Sequence, residues 1–275
     1  MKNIQEIIME RVLKHRNKIG ISLINETPEI LASLKKAQKE VADVIIYSNH
    51  EIEGFKTKVF DNDEEIGRTM VRDYKAGIIN QFVRGQVDDF GTVDEYKKQF
   101  DISKEEKRLD FALVEDIKGN QFFLTMCSNP EGQTLEDKLR IASGVSDWIK
   151  NEFGLSPKVA MMATCRPGSV GKDPVMTKSY EDAEAVVKFL QEKGMEAKNI
   201  HIELQSAIPW ANLIIASNGT IGNQIFRVMV FLGGGKTYYC PTFFAGKGGY
   251  EDNSRNENNY YHHIVFASAM ANKNL

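Results

Sequence analysis

A polar loop followed by an apolar helix near the C-terminal end holds the residues best suited to acid–base chemistry. Ser254 and Arg255 lie in this loop, and His262 and His263 fall in the first turn of the helix. The dipole at the amino end of a helix lowers the pKa of an imidazole, so the ring stays neutral and can accept a proton. The pattern therefore predicts a general base at one of the two histidines; the alternative is that both are solvated.

A second group of residues has the properties of an anion site. The segment SNGTIGN at 217–223 follows an apolar strand and begins a helix, so free backbone N–H groups converge there. Such a turn can bind a phosphate or a carboxylate. The alternative is an ordinary turn in which Ser217 or Asn218 caps the helix. The candidate binding residues in this segment are Asn218, Gly219, Gly222 and Asn223.

Arg84 and Gly85 follow another short apolar stretch. A guanidinium can bind phosphate through two parallel hydrogen bonds, and a glycine lets the backbone approach a ligand closely. The alternative is a surface arginine. The segment GGGKT at 233–237 does not fit a phosphate-binding P-loop, because Val230 stands where the motif needs glycine and Lys236 begins a predicted strand.

The sequence has no spacing of cysteine or histidine typical of a metal site. Cys127, Cys165 and Cys240 lie far apart, each at the end of an apolar run, and are predicted to be free thiols. We therefore expect no metal and no tightly bound cofactor.

Strands and helices alternate along the chain and must position these residues. Strands at 19–24 and 43–47 flank a helix at 28–41, where Thr27 and Pro28 form a typical helix start. Further strands and helices follow at 122–126, 134–153, 158–164, 180–193, 199–203, 212–217, 221–232 and 236–240. This order predicts an α/β fold with wound, mainly parallel sheets and with ligands outside the carboxyl ends of the strands.

Two polar segments, 100–108 and 244–260, are predicted domain junctions. They divide the chain into domain one, at 1–106 plus 250–275, and domain two, at 107–249, so that the C-terminal helix returns to domain one. The net charge of -3 gives no basic field for nucleic acid, and no apolar run is long enough to span a membrane. The N-terminal amphipathic helix lacks the features of a signal peptide, so a cytoplasmic location is expected.

With these motifs in place, the chain resembles the phosphate acetyl- and butyryltransferases. Within that group it is most similar to the MtxX proteins, methanogenesis markers of methanogenic archaea that are also labelled methyltransferase subunits. The resemblance extends from about Lys18 and is carried by the segments 107–163 and 211–234. The second of these matches the strand, GN turn and helix ending in LGG that are typical of the family.

The resemblance implies two α/β domains, similar to those of isocitrate and isopropylmalate dehydrogenases, and a homodimer. It also implies that the pair Ser254–Arg255 serves the reaction and that Arg108 and Arg84–Gly85 match family positions. The acidic residue that follows the Ser–Arg pair in the family is replaced by Tyr261 or His263. His263 could take over its part in drawing a proton from the thiol.

Three functional hypotheses follow. The first is an acyltransferase that moves an acyl group between phosphate and a thiol substrate such as coenzyme A or coenzyme M. The second is a methyltransferase or a subunit associated with one in methanogenesis. The third is a non-catalytic protein that binds phosphate or the coenzyme. In each case the expected ligand is a small anion.

Overall fold

The computed structural model describes residues 4–128, 130–244 and 246–273. The chain divides into two compact units, with Met1–Arg108 and Tyr239–Leu275 in unit 1 and Leu109–Tyr238 in unit 2. Within the described residues, no helix combines the length and the apolar character needed to cross a membrane.

The first part of unit 1 alternates helices and strands, and most of the residues in strands β1 and β2 are buried. Strands buried on both faces are typical of a parallel sheet that is covered by helices. The elements are α1 (Ile4–Val12), β1 (Lys18–Ser22), α2 (Pro28–Glu40), β2 (Asp43–Ser48), β3 (Lys56–Val59), α3 (Asp63–Lys75), β4 (Gln81–Val83) and α4 (Asp89–Gln99).

Unit 2 repeats this alternation around its own sheet. Its strand order is β5-β6-β9-β7-β8, in which β5 is antiparallel to β6 and the other pairs are parallel. The elements are β5 (Leu109–Glu115), β6 (Gln121–Thr125), α5 (Leu135–Phe153), β7 (Lys158–Met162), α6 (Pro174–Glu192), β8 (Glu196–His201), α7 (Leu204–Ala207), β9 (Leu213–Ile215) and α8 (Gly219–Arg227). A π-helical turn at Val228–Leu232 follows α8.

The chain then passes back into unit 1 through β10 (Lys236–Phe244), β11 (Gly248–Asp252) and α9 (Tyr261–Ala271). Strands β10 and β11 form an antiparallel hairpin, and β11 pairs with β4 in parallel at Glu251 and Val83. Helix α9 packs against β1, β4 and α2, so the last helix completes the core of unit 1.

The sheet of unit 1 reverses its direction of winding beside β1. Its order is β3-β2-β1-β4-β11-β10, and β1 is parallel to both β2 and β4, with Ile21 paired to Ile46 and to Val83. The chain moves from β1 to β2 on one side and later enters β4 on the other. The carboxyl ends of β1 and β4 therefore form a topological switch point, which is where open α/β sheets bind ligands.

Several stretches differ from the prediction: the helix predicted at 221–232 ends at Arg227, the strand predicted at 236–240 runs to Phe244, and two further differences have a local cause. Helix α6 begins at Pro174, earlier than the predicted 180, because Oδ1 of Asp173 accepts a hydrogen bond of 2.8 Å from the N–H of Met176 and caps the helix. The stretch 244–260, predicted as a polar junction, contains strand β11. Glycines at positive φ, including Gly246 and Gly248, form the tight hairpin turn and gave this stretch the composition of a loop.

Candidate functional site

A pocket of about 680 Å³ opens in unit 1 at the switch point. Its walls are the segments that follow β1, β4 and β11, together with Asp63 at the start of α3. The residues that matter below are Asn25, Thr27, Gln86, Asp88, Arg255 and Glu257. We call this the unit-1 pocket.

Side chains in the two central loops fix the shape of the pocket. The Oγ of Ser22, the last residue of β1, accepts hydrogen bonds from the N–H groups of Gln86 and Val87 at 2.9 and 3.2 Å. The side-chain carbonyl of Gln86 accepts from the N–H groups of Ile24 and Asn25, both at 2.7 Å. The loops after β1 and β4 are thus bound to each other directly.

Gly85 is required by this close approach. Its φ is +73°, and a Cβ at this position would lie 2.0 Å from the backbone oxygen of Ser22. The side chain of Asn253 donates to the carbonyl of Gly85 and accepts from its N–H, at 3.0 and 2.8 Å. The structure therefore gives Gly85 a packing role between three loops.

Arg84 is buried, with 6% of its surface exposed. Its guanidinium pairs with the carboxylate of Asp252 and donates to the carbonyls of Val87, at 2.6 Å, and Asn253. Burial alone would lower the pKa of Arg84, but the charge and hydrogen bond of Asp252 outweigh it, so the net shift is upward. These contacts direct the guanidinium to the chain's own acceptors behind the pocket wall.

Ser254 and Arg255 lie in a tight turn at the edge of the pocket. The carbonyl of Ser254 accepts from the N–H of Glu257 at 2.9 Å, and its Oγ accepts from the N–H of Asn256 at 3.3 Å. The side chain of Arg255 is 63% exposed, and its Nη1 lies 3.6 Å from Oδ2 of Asp88. Arg255 is thus an exposed cation at the pocket edge, next to the carboxylate of Asp88.

Arg108 approaches the same helix end as Arg255. Its Nη2 lies 2.9 Å from Oδ2 of Asp89, the residue that follows Asp88 and begins α4. Both predicted arginines therefore contact neighbouring carboxylates at the first turn of α4.

His263 does not have the environment predicted for it. Its Nδ1 lies 2.6 Å from Oε1 of Glu251 and its Nε2 lies 3.7 Å from Oε2 of Glu257, and the ring is 1% exposed. Burial lowers the pKa of His263, but the hydrogen bonds and charges of the two glutamates outweigh it and raise the pKa to about 9. The pKa of His263 is therefore raised, the reverse of the lowering predicted from the helix dipole, because two carboxylates oppose the dipole; a general base at His263 stays a prediction.

The two glutamates beside His263 were missed in the sequence. Glu251 is fully buried, and its burial raises its pKa to about 7, while the hydrogen bond with His263 opposes the shift. Glu257 lines the unit-1 pocket and also accepts from the N–H of Asn258 at 3.1 Å. Its burial raises its pKa, but the bonds with His263 and the backbone give a net lowering. In the sequence, the position of Glu257 two residues after Arg255 could have identified it as a residue of the candidate site.

The candidate anion turn in unit 2 is packed against the segment after β6. Oδ1 of Asn218 accepts from the N–H of Ile221 at 3.0 Å and caps α8, and Nδ2 of Asn223 donates to the carbonyl of Cys127 at 2.8 Å. A Cβ at Gly219 or at Gly222 would lie 1.8 or 1.9 Å from the carbonyl oxygens of Ser128 and Met126. The geometry corresponds to the capped turn that was the alternative reading of this motif, and binding of an anion there stays a prediction.

Cys127, Cys165 and Cys240 are free thiols. Burial raises the pKa of Cys127, with the charges of Glu131 and Asp110 adding to the effect. Among the residues that the structure describes, no group of three or more histidine, cysteine, aspartate or glutamate side chains is arranged to hold a metal ion.

Comparison with solved structures defines the class of fold. A branched-chain phosphotransacylase from Enterococcus faecalis V583 superposes with a TM-score of 0.68 at 18% identity, covering 92% of this chain and 99% of that one. The EutD phosphotransacetylase from Staphylococcus aureus gives a TM-score of 0.63 at 16% identity, covering 98% and 100% of the two chains. A 4-hydroxythreonine-4-phosphate dehydrogenase from Burkholderia phymatum gives 0.52 at 10% identity, covering 94% and 99%. The predicted two-domain α/β fold of the phosphate acyltransferase type is confirmed.

Comparison of sequences points to a narrower group. The chain is 28% identical to the "Putative methyltransferase mtx subunit X" of Methanosarcina barkeri, over 96% of this chain and 97% of that protein. It is 29% identical to the protein of the same name from Methanosarcina mazei, over 98% and 95%. No family model matches the chain. The resemblance to the MtxX proteins is confirmed over nearly the whole length.

Proposed function

We propose that this protein is an acyltransferase that moves an acyl group between phosphate and a thiol such as coenzyme A. The observation that carries the proposal is the unit-1 pocket, which lies at the switch point of its sheet and has the Ser254–Arg255 turn at its edge. The surrounding chain has the fold of the phosphotransacylases.

In this proposal Arg255 binds the phosphate. Its exposed guanidinium lies at the long distance of 3.6 Å from the carboxylate of Asp88, so it can turn toward a dianion at small cost. The hydroxyl of Ser254 lies beside it and can donate a hydrogen bond to the transferring group. Arg84 holds the loops of the pocket in place through its buried contacts. Arg108 would bind the phosphate only if its guanidinium left the carboxylate of Asp89.

The carboxylates of the pocket do not exclude an anion, because each already has a donor from the chain. Asp88 accepts from the N–H of Phe90 at 2.9 Å and neighbours Arg255. Asp63 accepts from Asn49 at 3.3 Å, and Glu257 faces the charged ring of His263. Their charges are partly neutralised before a ligand arrives.

The test is an assay of the purified protein with phosphate and short acyl thioesters of coenzyme A and of coenzyme M. The assay measures the release of free thiol and the formation of acyl phosphate. Arg255→Ala should reduce kcat/KM by roughly 10²-fold, since a charge-assisted contact to the reacting phosphate is lost. Arg166→Ala is the matched control, because Arg166 is also 63% exposed and paired to one carboxylate, Glu203, on unit 2. Equal effects of the two substitutions, or no turnover with any of these thioesters, would contradict the proposal.

A second candidate function is methyl transfer, or the support of a methyltransferase, and the names of the sequence relatives favour it. Incubation with methylcobalamin and coenzyme M would show methylated thiol if this function holds. Binding of phosphate or coenzyme A without turnover of any kind would instead favour a non-catalytic binding protein.

Association of two copies is part of the proposal. On unit 2, Val228, Phe231 and Leu232 of the π-helical turn are exposed, and so is Ile117, which lies beside Gly234. Large exposed apolar side chains that lie close together are typical of surfaces that another protein covers. A second copy of this chain would bury them.

A further inference from the structure

A histidine that the motif analysis passed over is linked through its partners to segments that line the unit-1 pocket. His50 follows β2, and its Nε2 lies 2.9 Å from Oε2 of Glu26 while its Nδ1 lies 2.7 Å from Oδ1 of Asn49. The two side chains of the pair His50–Glu26 are 42% and 37% exposed. The imidazole is thus held in one orientation and still open to a ligand.

The chain around His50 belongs to the pocket. Glu26 stands between Asn25 and Thr27, and both of these residues line the unit-1 pocket. Nδ2 of Asn49 donates to Oδ1 of Asp63, which also lines it, at 3.3 Å. The ring is therefore bound on both sides to segments that form the pocket edge at the carboxyl ends of β1 and β2.

The hydrogen-bond partners of the His50 ring suit a side chain that carries a proton and can transfer it. Both ring nitrogens face acceptor oxygens, an arrangement that a doubly protonated imidazole satisfies. Because the amide of Asn49 donates to Asp63, its oxygen is the end that faces the ring. One acceptor, Glu26, is a carboxylate, and the hydrogen bond from His50 is the main cause that lowers its pKa. The other acceptor, Asn49, is neutral, so a proton on Nδ1 of His50 is not held there by an ion pair.

We propose that His50 is the acid–base residue for the thiol in the proposed acyl transfer, and that Glu26 is its positioning residue. This inference rests on the proposed function. When an oxygen of phosphate attacks the acyl carbon of a thioester, the carbon–sulfur bond breaks and its electron pair stays on sulfur. The proton then moves from Nδ1 of His50 to the sulfur, which replaces the oxygen of Asn49 as its acceptor. In the reverse direction the ring, now without its Nδ1 proton, takes the proton of the thiol as sulfur attacks the acyl carbon, and the bond from that carbon to the phosphate oxygen breaks with its electron pair on the oxygen.

The other histidine of the candidate site cannot do this. His263 is 1% exposed and lies between two carboxylates, so a thiol in the pocket cannot contact its ring directly. His50 is 42% exposed and is linked to the segments of the pocket through Glu26 and Asn49, so a thiol can reach its ring without a rearrangement of the core. The charged groups that the described contacts place around it are Glu26 directly and Asp63 through Asn49.

The first experiment compares His50→Gln and Glu26→Gln with the wild type in the acyl-coenzyme A and phosphate reaction between pH 5.5 and 9. General acid–base catalysis contributes roughly 10²–10⁴-fold, so His50→Gln should lower kcat by about 10²-fold at nearly constant KM for phosphate. It should also remove one limb of the pH profile, and Glu26→Gln should displace that limb. His15→Gln is the control, because His15 is exposed in the connection before β1, at the opposite end of the strand. An unchanged profile in His50→Gln would overturn the inference.

A second readout does not depend on turnover. Nuclear magnetic resonance of the five histidine side chains, with coenzyme A added, should shift the imidazole signals of His50 and leave those of His15 in place. Binding of coenzyme A, or turnover, with no shift at His50 would overturn this inference and leave the proposed function standing. Absence of both binding and turnover would remove the proposed function, and this inference with it.

Discussion

Nδ1 of His263 lies 2.6 Å from Oε1 of Glu251, and these two side chains are 1% and 0% exposed. The contact joins the last helix, α9, to the last strand, β11. A buried ion pair of this kind stabilises little by itself, but removal of one partner leaves the other charge buried without compensation. The pair therefore makes the stability of unit 1 depend on protonation.

Unit 1 should lose stability as the pH rises from about 6.5 to 9. The pKa of His263 is raised from its ordinary 6.5 to about 9, so the folded state holds a proton that the unfolded chain has released. The stabilisation is complete below about pH 6.5 and is lost as the pH passes through 9. Chemical denaturation followed by circular dichroism at pH 6, 7.5 and 9 measures this loss. The loss of stability between pH 7.5 and 9 should be smaller in His263→Gln and persist in His15→Gln; the same loss in both variants would contradict the assignment.

Substitution of two arginines near the pocket should change the free energy of unfolding by very different amounts. Arg84→Met should destabilise the protein by about 3–5 kcal/mol, because it leaves the carboxylate of Asp252 partly buried without its partner. Arg255→Ala should change the free energy of unfolding by less than about 0.5 kcal/mol, since the side chain is exposed. Denaturation curves for both variants provide the measurement. A large loss of stability in Arg255→Ala would mean that its effect on turnover is structural.

The glycines in the first turn of α8 should tolerate no side chain. Gly222→Ala would place a Cβ 1.9 Å from the backbone oxygen of Met126, and we expect a destabilisation of unit 2 of about 2 kcal/mol or more. Gly168→Ala is the matched control, because no atom lies within 4 Å of its added Cβ. Trp148 and Trp210 both lie in unit 2, so tryptophan fluorescence reports its unfolding. Similar curves for the two variants would show that the turn can move.

A charged residue on the exposed apolar surface of unit 2 should separate the two copies. Leu232→Asp adds a charge to a side chain that is 82% exposed, so folding should be unaffected while association is weakened. Light scattering after size-exclusion chromatography gives the mass of each species. The wild type should have the mass of two chains and the variant the mass of one. A single-chain mass for the wild type would contradict the predicted dimer.

The sequence predicted the regular elements of the fold well where their ends carry local signals. Thr27 and Pro28 placed the start of α2, and Oγ1 of Thr27 does accept from the N–H of Ile30, at 3.3 Å. Lys236 begins a strand, as predicted for the GGGKT segment. Such signals are short-range, so they can be read from neighbouring residues alone.

The candidate site was harder to predict because its contacts join residues far apart in the chain. His263 was assigned a neutral ring from its place in the first turn of a helix, and that place is correct, since α9 begins at Tyr261. The ring is charged because of Glu251, which lies on a strand whose glycines made it resemble a loop. Arg84 likewise appeared as a free cation because nothing nearby in sequence indicated Asp252 behind it.

The unit-1 pocket is assembled from the two ends of the chain, with unit 2 inserted between them. A ribosome that has made Asn25, Gln86 and Asp88 has still to make all of unit 2 before Arg255 and Glu257 emerge. The walls of the pocket therefore cannot come together until the segment after unit 2 has been made, and the residues of unit 2 have time to fold first. The order of synthesis itself delays the formation of the pocket.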